Sequence, residues 1–370
     1  MNKLYFSGVS AALFISVVWL LLITIPKSET PVINAEFIAV IFNFCIAFIL
    51  SLNFFKIKRF NIDTKKLIGI FFVSVGVIVV VNIIFLINSS GYYFLENRTY
   101  YIPLFLISLL LFEGLSRDTY LEKFGEKLIA DKSSDINWRY FVLSLFIKVF
   151  FACFLFDIQV ELIQALSLTD ILNKSNVNWF NSLIQLGLLI DVSIALIGYI
   201  FAAKYFKNSI KSFNPYLTGI VVCFLCYPPI NDLVSDFVKA PDKFVWTHWL
   251  EKNTLLYWFW GCLITVTWTI YFWATISFGN TFSNLTYRRL IHWGPYRYCA
   301  HPAYLAKNIY WWLMSVPFVV TTSILDTIIA VLVILFWNGI YYLRAKTEEM
   351  HLAQYPAYRQ YLKKVPIKCL

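Results

Sequence analysis

Two short stretches near the C-terminus concentrate the side chains that are able to bind and transform a small molecule. The first, residues 294–304, reads Gly-Pro-Tyr-Arg-Tyr-Cys-Ala-His-Pro-Ala-Tyr, and the second, residues 344–352, reads Arg-Ala-Lys-Thr-Glu-Glu-Met-His-Leu. An apolar stretch, residues 305–342, separates them. It is long enough to cross a bilayer and return, since one crossing needs about 20 residues. We therefore expect a helical hairpin that brings both stretches to the same membrane face.

The glutamates of the second stretch predict more than a surface ion pair. Arg344 and Glu348 are four residues apart, so alone they would predict an exposed pair on one helix face, contributing a few tenths of a kcal/mol. Glu349 projects about 100° away from Glu348 on a helix, so that pair does not explain it. In the first stretch, Pro302 favours an extended His301 and can open a helix. His301 would then either contribute to a site at that helix N-terminus or merely cap the helix.

The order of these motifs is more specific than any one of them. Gly-Pro-Tyr-Arg-Tyr leads into His-Pro-x-Tyr, the apolar hairpin follows, and then come Arg-x-x-x-Glu-Glu-x-x-Leu and Tyr-x-x-Tyr-x-x-Lys-Val-Pro. This set resembles the integral-membrane methyltransferases of the isoprenylcysteine carboxyl methyltransferase and phospholipid methyltransferase group. The chain departs from that family at Ala300, because the family usually has Arg immediately before His-Pro.

The resemblance implies that S-adenosyl-L-methionine is the cofactor and that both stretches form its site. It assigns catalysis to Arg344, Glu348 and Glu349, without a metal. It assigns cofactor contacts to the two glutamates and to Gly294, Tyr296, Arg297, His301, Pro302 and Tyr304. Arg297 is an alternative source of the charge that Ala300 lacks, and Lys307 and Asn308 add polar groups to the expected cavity wall.

These residue types suit methyl transfer from a sulfonium cation with an amino-acid tail. Carboxylates can bind its ammonium group, aromatic rings can line the sulfonium, and positioning supplies much of the catalysis. The expected acceptor is an amphiphile in the membrane, either a lipid, an isoprenoid or a lipid-linked carboxylate. Two alternatives stay open: a membrane sterol-reductase-like enzyme that uses NADPH, and a non-catalytic membrane scaffold or carrier. The double Glu favours the methyltransferase, whereas the expected number of spans mildly favours the reductase.

The composition is that of a membrane protein with many spans. Of 370 residues, 59% are hydrophobic and only 14% are charged, which is far too apolar for a soluble domain. We predict an all-α bundle with ten spans, eight in residues 1–282 and two in the methyltransferase-like region 283–370. The eight are residues 6–25, 33–55, 67–88, 100–115, 140–166, 179–203, 216–230 and 255–278. The segments 100–115 and 216–230 are the weakest because they are short, and the latter ends in the helix-breaking Pro228-Pro229. A tilted, locally thinned or re-entrant segment is the alternative for either.

Basic residues predict the orientation of the spans. With the N-terminus inside, 22 of the 31 Lys and Arg residues fall in inner loops and 6 in outer loops, as the excess of positive charge in cytoplasmic loops requires. We expect both termini on the cytoplasmic side of a bacterial inner membrane. The net charge of +10 then faces anionic lipid headgroups and needs no nucleic-acid partner.

Other polar or reactive residues lie within apolar segments. Cys223-x-x-Cys226 has redox or metal-pair spacing, but two small core residues are the more economical interpretation. Asp191 lies near the middle of a predicted span, and Asp157 and Glu161 are four residues apart in another. Buried polar pairing is the favoured interpretation of these carboxylates, with proton transfer as the alternative.

Overall fold

The described part of the chain is mostly helical in a computed structural model. The structure describes residues 138–165, 179–200, 208–227, 230–238, 246–252, 254–315 and 323–368, and helical positions within 38–46 and 65–79. The predicted spans at 6–25 and 100–115 lie outside these residues. The chain divides into two compact units, of which the first contains residues 1–177, 189–213 and 278–289, and the second contains the remainder.

The first unit packs helix α1 (Trp138–Ala165) with most of helix α2 (Trp179–Ile200). A buried polar cluster joins its apolar helices: Gln159 and Asn43 exchange hydrogen bonds of 2.7 and 3.3 Å, and Gln159 donates to Ser193 at 2.7 Å. Such bonds satisfy polar groups that lipid cannot. Asp157 and Asp191 are also buried, whereas Glu161 is exposed.

A short two-stranded sheet completes the described part of this unit. Strand β1 (Ser212–Phe213) pairs antiparallel with β2 (Thr286–Tyr287), and Ser212 lies opposite Tyr287. Next to β2, the buried Arg288 donates to the Gly198 carbonyl oxygen at 2.6 Å. Pairing and hydrogen bonding therefore fix the segment that precedes the first chemically capable stretch.

The second unit contains six helices among its described residues. They are α3 (Leu217–Phe224), α4 (Ile230–Phe237), α5 (Leu255–Phe278), α6 (Pro302–Ser315), α7 (Ile324–Leu352) and α8 (Pro356–Lys364). Helix α7 packs against both α3 and α6. Its start is capped by Ser323, whose side chain accepts from the Asp326 N–H at 3.1 Å, and proline occupies the first turn of α6 and of α8.

Among the described residues, three helices are long and apolar enough to cross a membrane: Phe180–Ile200, Leu255–Thr281 and Ile324–Leu352. They agree with the predicted spans at 179–203 and 255–278 and with the second arm of the hairpin. The predicted span at 216–230 is not one continuous helix, because the described residues form two separate eight-residue helices, α3 and α4. Each is about 12 Å long, which is far short of the roughly 30 Å hydrocarbon core. Pro228-Pro229 lies between them, so the total of ten spans stays a prediction.

Candidate functional site

The loop that leads into α6, residues 294–301, is called the site loop here. It begins at Gly294 with a φ of +61°, a conformation that favours glycine. A side chain there would overlap the Ser277 hydroxyl and approach the Trp273 indole. The neighbouring Trp293 indole donates to the Ser277 carbonyl at 3.0 Å. Gly294 therefore lets the loop start close against the end of α5.

The C-terminal tail, residues 356–368, holds the site loop by its backbone. The Tyr361 hydroxyl donates to the carbonyl oxygens of Tyr296 at 2.7 Å and Cys299 at 3.3 Å. Beyond α8, the Ala300 N–H donates to the Ile367 carbonyl at 2.8 Å, and the Ile367 N–H donates to the loop in return. Burial raises the pKa of the Tyr361 phenol and that of the Cys299 thiol above their ordinary values. The loop is thus braced before α6 begins.

His301 lies at the end of the site loop and is 94% buried. Its Nε2 is 3.2 Å from Glu349 Oε1, and its Nδ1 is 3.9 Å from Glu348 Oε2. The imidazole also stacks on the Tyr304 ring, with 5.7 Å between centroids and 6° between planes. Because the ring contacts two carboxylates of α7, the interpretation of His301 as a simple helix cap does not describe its environment.

Glu348 and Glu349, the carboxylate pair, use different partners. Glu348 accepts a hydrogen bond from the Tyr304 hydroxyl, and Glu349 Oε2 is 3.3 Å from Lys346 Nζ. The side chains are 29% and 16% exposed, respectively. Both carboxylates therefore stay partly accessible although each contacts α6 or the residue that precedes it.

Arg344 is a buried member of the same cluster. It is 6% exposed, and its Nε is 3.9 Å from Glu348 Oε1. The guanidinium lies over the rings of Tyr304 at 5.2 Å and Tyr227 at 5.5 Å. The alternative of an exposed surface pair does not describe Arg344, since α7 turns this face toward α3 and α6 rather than toward solvent.

Helix α3 supplies residues that sequence reasoning did not assign to the site. Tyr227 follows its C-terminal turn and stacks against Arg344. The only sequence signal was the nearby Cys-x-x-Cys, whose Cys223 is buried and whose Cys226 donates through its thiol to the Val222 carbonyl at 3.3 Å. Both thiols are free. Among the residues described, no group of three His, Cys, Asp or Glu side chains is arranged to hold a metal ion.

The predicted site residues separate into two groups. Brought together are the side chains of His301, Tyr304, Arg344, Glu348 and Glu349. The others shape the backbone or lie apart: Gly294 and Tyr296 help to position the loop, Pro302 opens α6, and the Arg297 side chain is exposed. In the described structure Arg297 makes no ion pair with the carboxylate pair.

Comparison with known proteins finds one family model for the region that contains this site. A family described as a protein of unknown function, DUF1295, matches residues 274–365. That family is distantly related to steroid 5-alpha reductases and membrane methyltransferase-like proteins. No curated protein and no solved structure matches the chain. The match covers the site loop, the α6–α7 hairpin and most of the C-terminal tail.

Proposed function

We propose that the protein transfers a methyl group from S-adenosyl-L-methionine to an amphiphilic acceptor in the membrane. The observation that carries the proposal is the convergence of the carboxylate pair on His301, at 3.2 and 3.9 Å, beside the buried Arg344. Two partly exposed carboxylates in one place are costly unless cations approach them. S-adenosyl-L-methionine supplies two positive groups, an ammonium and a sulfonium.

The charges around the cluster favour such a ligand over a polyanion. Arg344 is covered by tyrosine rings and is therefore a poor partner for a phosphate from solution. Lys346 is 41% exposed but already lies beside Glu349. The carboxylate pair and the neighbouring Tyr304 ring are each partly exposed, and acidic and aromatic groups are those that bind organic cations.

Each residue of the cluster has a role in this proposal. The carboxylate pair would bind the ammonium group, and the stacked rings of Tyr304 and His301 would pack against the sulfonium. The bound cofactor supplies an electrophilic methyl carbon. In methyl transfer the acceptor lone pair would form the new bond as the carbon–sulfur bond of the cofactor breaks, and the electron pair of that bond would stay on sulfur. His301, 3.2 Å from Glu349, would accept any proton that the acceptor loses.

The proposal includes the site of action. Lipid, isoprenoid or lipid-linked carboxylate acceptors would reach the cluster from the bilayer, since α7 is one of the helices able to cross it. We propose further that the cluster faces the cytoplasm of a bacterial cell, where the cofactor is available. This orientation rests on the excess of basic residues in the predicted inner loops.

A reductase that uses NADPH is the second candidate function. It is favoured by the distant relation of DUF1295 to steroid 5-alpha reductases. In that case the exposed cations Arg297 and Lys346 would bind phosphate groups. The two candidates therefore require opposite charges at the same surface, which makes them separable by ligand binding.

The test is thermal unfolding of the purified protein in nanodiscs with S-adenosylhomocysteine or with NADPH. A ligand that binds only the folded state stabilises it by RT ln(1 + [L]/Kd), about 2.7 kcal/mol at a hundredfold excess over Kd. We expect a shift with S-adenosylhomocysteine that Glu349→Gln abolishes and that Lys363→Met, an exposed tail variant, retains. A shift with NADPH alone would establish the second candidate. No shift with either ligand would favour a non-catalytic scaffold or carrier.

A further inference from the structure

A second set of polar side chains lies about one helical turn along α6 from Tyr304 of the carboxylate cluster. Lys307 points its ammonium group at two tyrosine rings, 4.6 Å from the Tyr271 centroid and 5.8 Å from the Tyr341 centroid. Within the described residues no carboxylate pairs with it. A lysine held among apolar helices without a counter-ion is costly, and such residues are usually retained for function.

Two asparagine side chains accompany this lysine. Asn308 is 7% exposed, and its Oδ1 has no hydrogen-bond partner in the described part of the chain. The Oδ1 of Asn338 on α7 is also buried and has no hydrogen-bond partner among the described residues. Buried polar atoms are normally satisfied by protein, water or ligand, so these two acceptors without a protein donor are able to accept from a bound ligand.

The helix register places these groups at one level. Tyr304 of α6 lies beside Tyr341 of α7, with ring centroids 5.7 Å apart, and the two helices run antiparallel. Asn308 is four residues beyond Tyr304, which is about 6 Å at 1.5 Å per residue. Asn338 is three residues before Tyr341, which is about 4.5 Å in the same direction. By this register Lys307, Asn308 and Asn338 form one polar layer, about one turn along α6 from Tyr304.

We propose that this polar layer binds the head group of the methyl acceptor, and that the acceptor is an acidic amphiphile. The proposal rests on the proposed function and names its substrate class. Lys307 would pair with an anionic group, either a carboxylate or a phosphate. The two amide oxygens would accept from a hydroxyl or amine of the same head group.

The distance between the polar layer and the carboxylate cluster also limits which atom of the acceptor can receive the methyl group. Lys307 lies six residues, about 9 Å along α6, from His301. The atom that receives the methyl group is therefore several bonds away from an anion held at Lys307, and is not the anion itself. A nucleophile paired with a lysine would also be less reactive, because the ion pair stabilises its lone pair.

The experiment measures lipid selectivity and does not depend on cofactor binding. Stearic acid that carries a nitroxide near its tail end, and its methyl ester, are added to protein in phosphatidylcholine nanodiscs, and electron spin resonance gives the immobilised fraction of each. We expect the wild type to prefer the acid over the ester. Lys307→Met should reduce that preference by at least about tenfold, as expected for loss of a charge-assisted contact. Lys307→Arg should retain it.

Lys363→Met is the matched control, because it removes the same charge from the exposed tail. Equal preference in Lys307→Met and the wild type, or an equal loss in Lys363→Met, would overturn the proposal. Competition by palmitate against hexadecyl phosphate distinguishes a carboxylate site from a phosphate site. A thermal shift with S-adenosylhomocysteine in Lys307→Met shows whether the cofactor site survives, so failure of the proposed function is separately visible.

Asn308→Leu provides a second, independent readout. If the Asn308 amide oxygen is satisfied only when a ligand is bound, it destabilises the ligand-free protein. Asn308→Leu should then raise the melting temperature of the ligand-free protein and weaken binding of the acid. If Asn308 instead serves the fold, leucine should lower the melting temperature and leave the acid-to-ester preference unchanged. That second result would remove the amide groups from the proposed site.

Discussion

Glu349→Gln tests whether the carboxylate pair binds a cation. In the structure Glu349 Oε1 is 3.2 Å from His301 and Oε2 is 3.3 Å from Lys346. Glutamine has nearly the same shape and still offers one oxygen to the imidazole, so the substitution removes the negative charge with little change in packing. A change in ligand affinity can then be assigned to that charge.

The two expected magnitudes differ enough to be separated. The partner Lys346 is 41% exposed, and ion pairs that solvent can reach contribute under about 1 kcal/mol, so the loss of stability should stay below that value. The lost contact with a bound ammonium is charge-assisted, and such contacts contribute on the order of 1.5–3 kcal/mol. Affinity for S-adenosylhomocysteine should therefore fall by roughly 10- to 100-fold.

Lys346→Met tests whether positive charge at this surface weakens or strengthens ligand binding. It releases the Glu349 carboxylate from its neighbour, so affinity for S-adenosylhomocysteine should stay equal or rise by up to about threefold. Affinity for a polyanion such as NADPH should fall in the same variant. Isothermal titration on folded protein measures both. Wild-type affinity for S-adenosylhomocysteine in Glu349→Gln would refute the reasoning, because the carboxylate would then be a structural partner of His301.

Three further predictions follow from the geometry. Glu348→Gln and His301→Ala should each reduce turnover by at least about tenfold while the protein stays folded, as measured by methyl transfer to membrane extracts. Tyr361→Phe removes the brace on the site loop and should lower the free energy of unfolding by about 1 kcal/mol at neutral pH. Because burial raises the pKa of Tyr361 above 10.0, its contribution is full below pH 10.0 and is lost as the phenol ionises, so this variant should lose less stability in alkali. Thiol reagents applied from outside should label Asp242→Cys but not Lys363→Cys in a cysteine-free background; the reverse pattern would contradict the predicted orientation.

The arrangement of the site could be predicted where chain length alone determines it. The apolar stretch between residues 294–304 and 344–352 predicts a helical hairpin. In such a hairpin, the residues before the first helix lie next to the end of the second helix. His301 and the carboxylate pair meet for this reason. Periodicity also separated the two glutamates correctly, since they contact different atoms of the imidazole.

What the sequence could not predict depends on contacts between distant segments. Tyr227 reaches Arg344 from a helix more than a hundred residues earlier, and no local pattern marks it. Spacing placed Arg344 and Glu348 on one helix face but could not say which neighbour would cover that face. The apolar character of 216–230 predicted a span because hydropathy does not indicate where a helix ends, here at Phe224.

The buried Arg344 bears on the absence of Arg before His-Pro. Ala300 is 5% exposed, and its N–H donates to the Ile367 carbonyl at 2.8 Å, so the tail covers this position. An arginine there would have to displace the tail or extend past it. Arg344, which the resembling family has as well, brings a guanidinium within 3.9 Å of Glu348 and over the Tyr304 ring. The cluster therefore has a positive charge from α7 whatever residue stands at position 300, and the small Ala300 lets the tail close directly on the site loop.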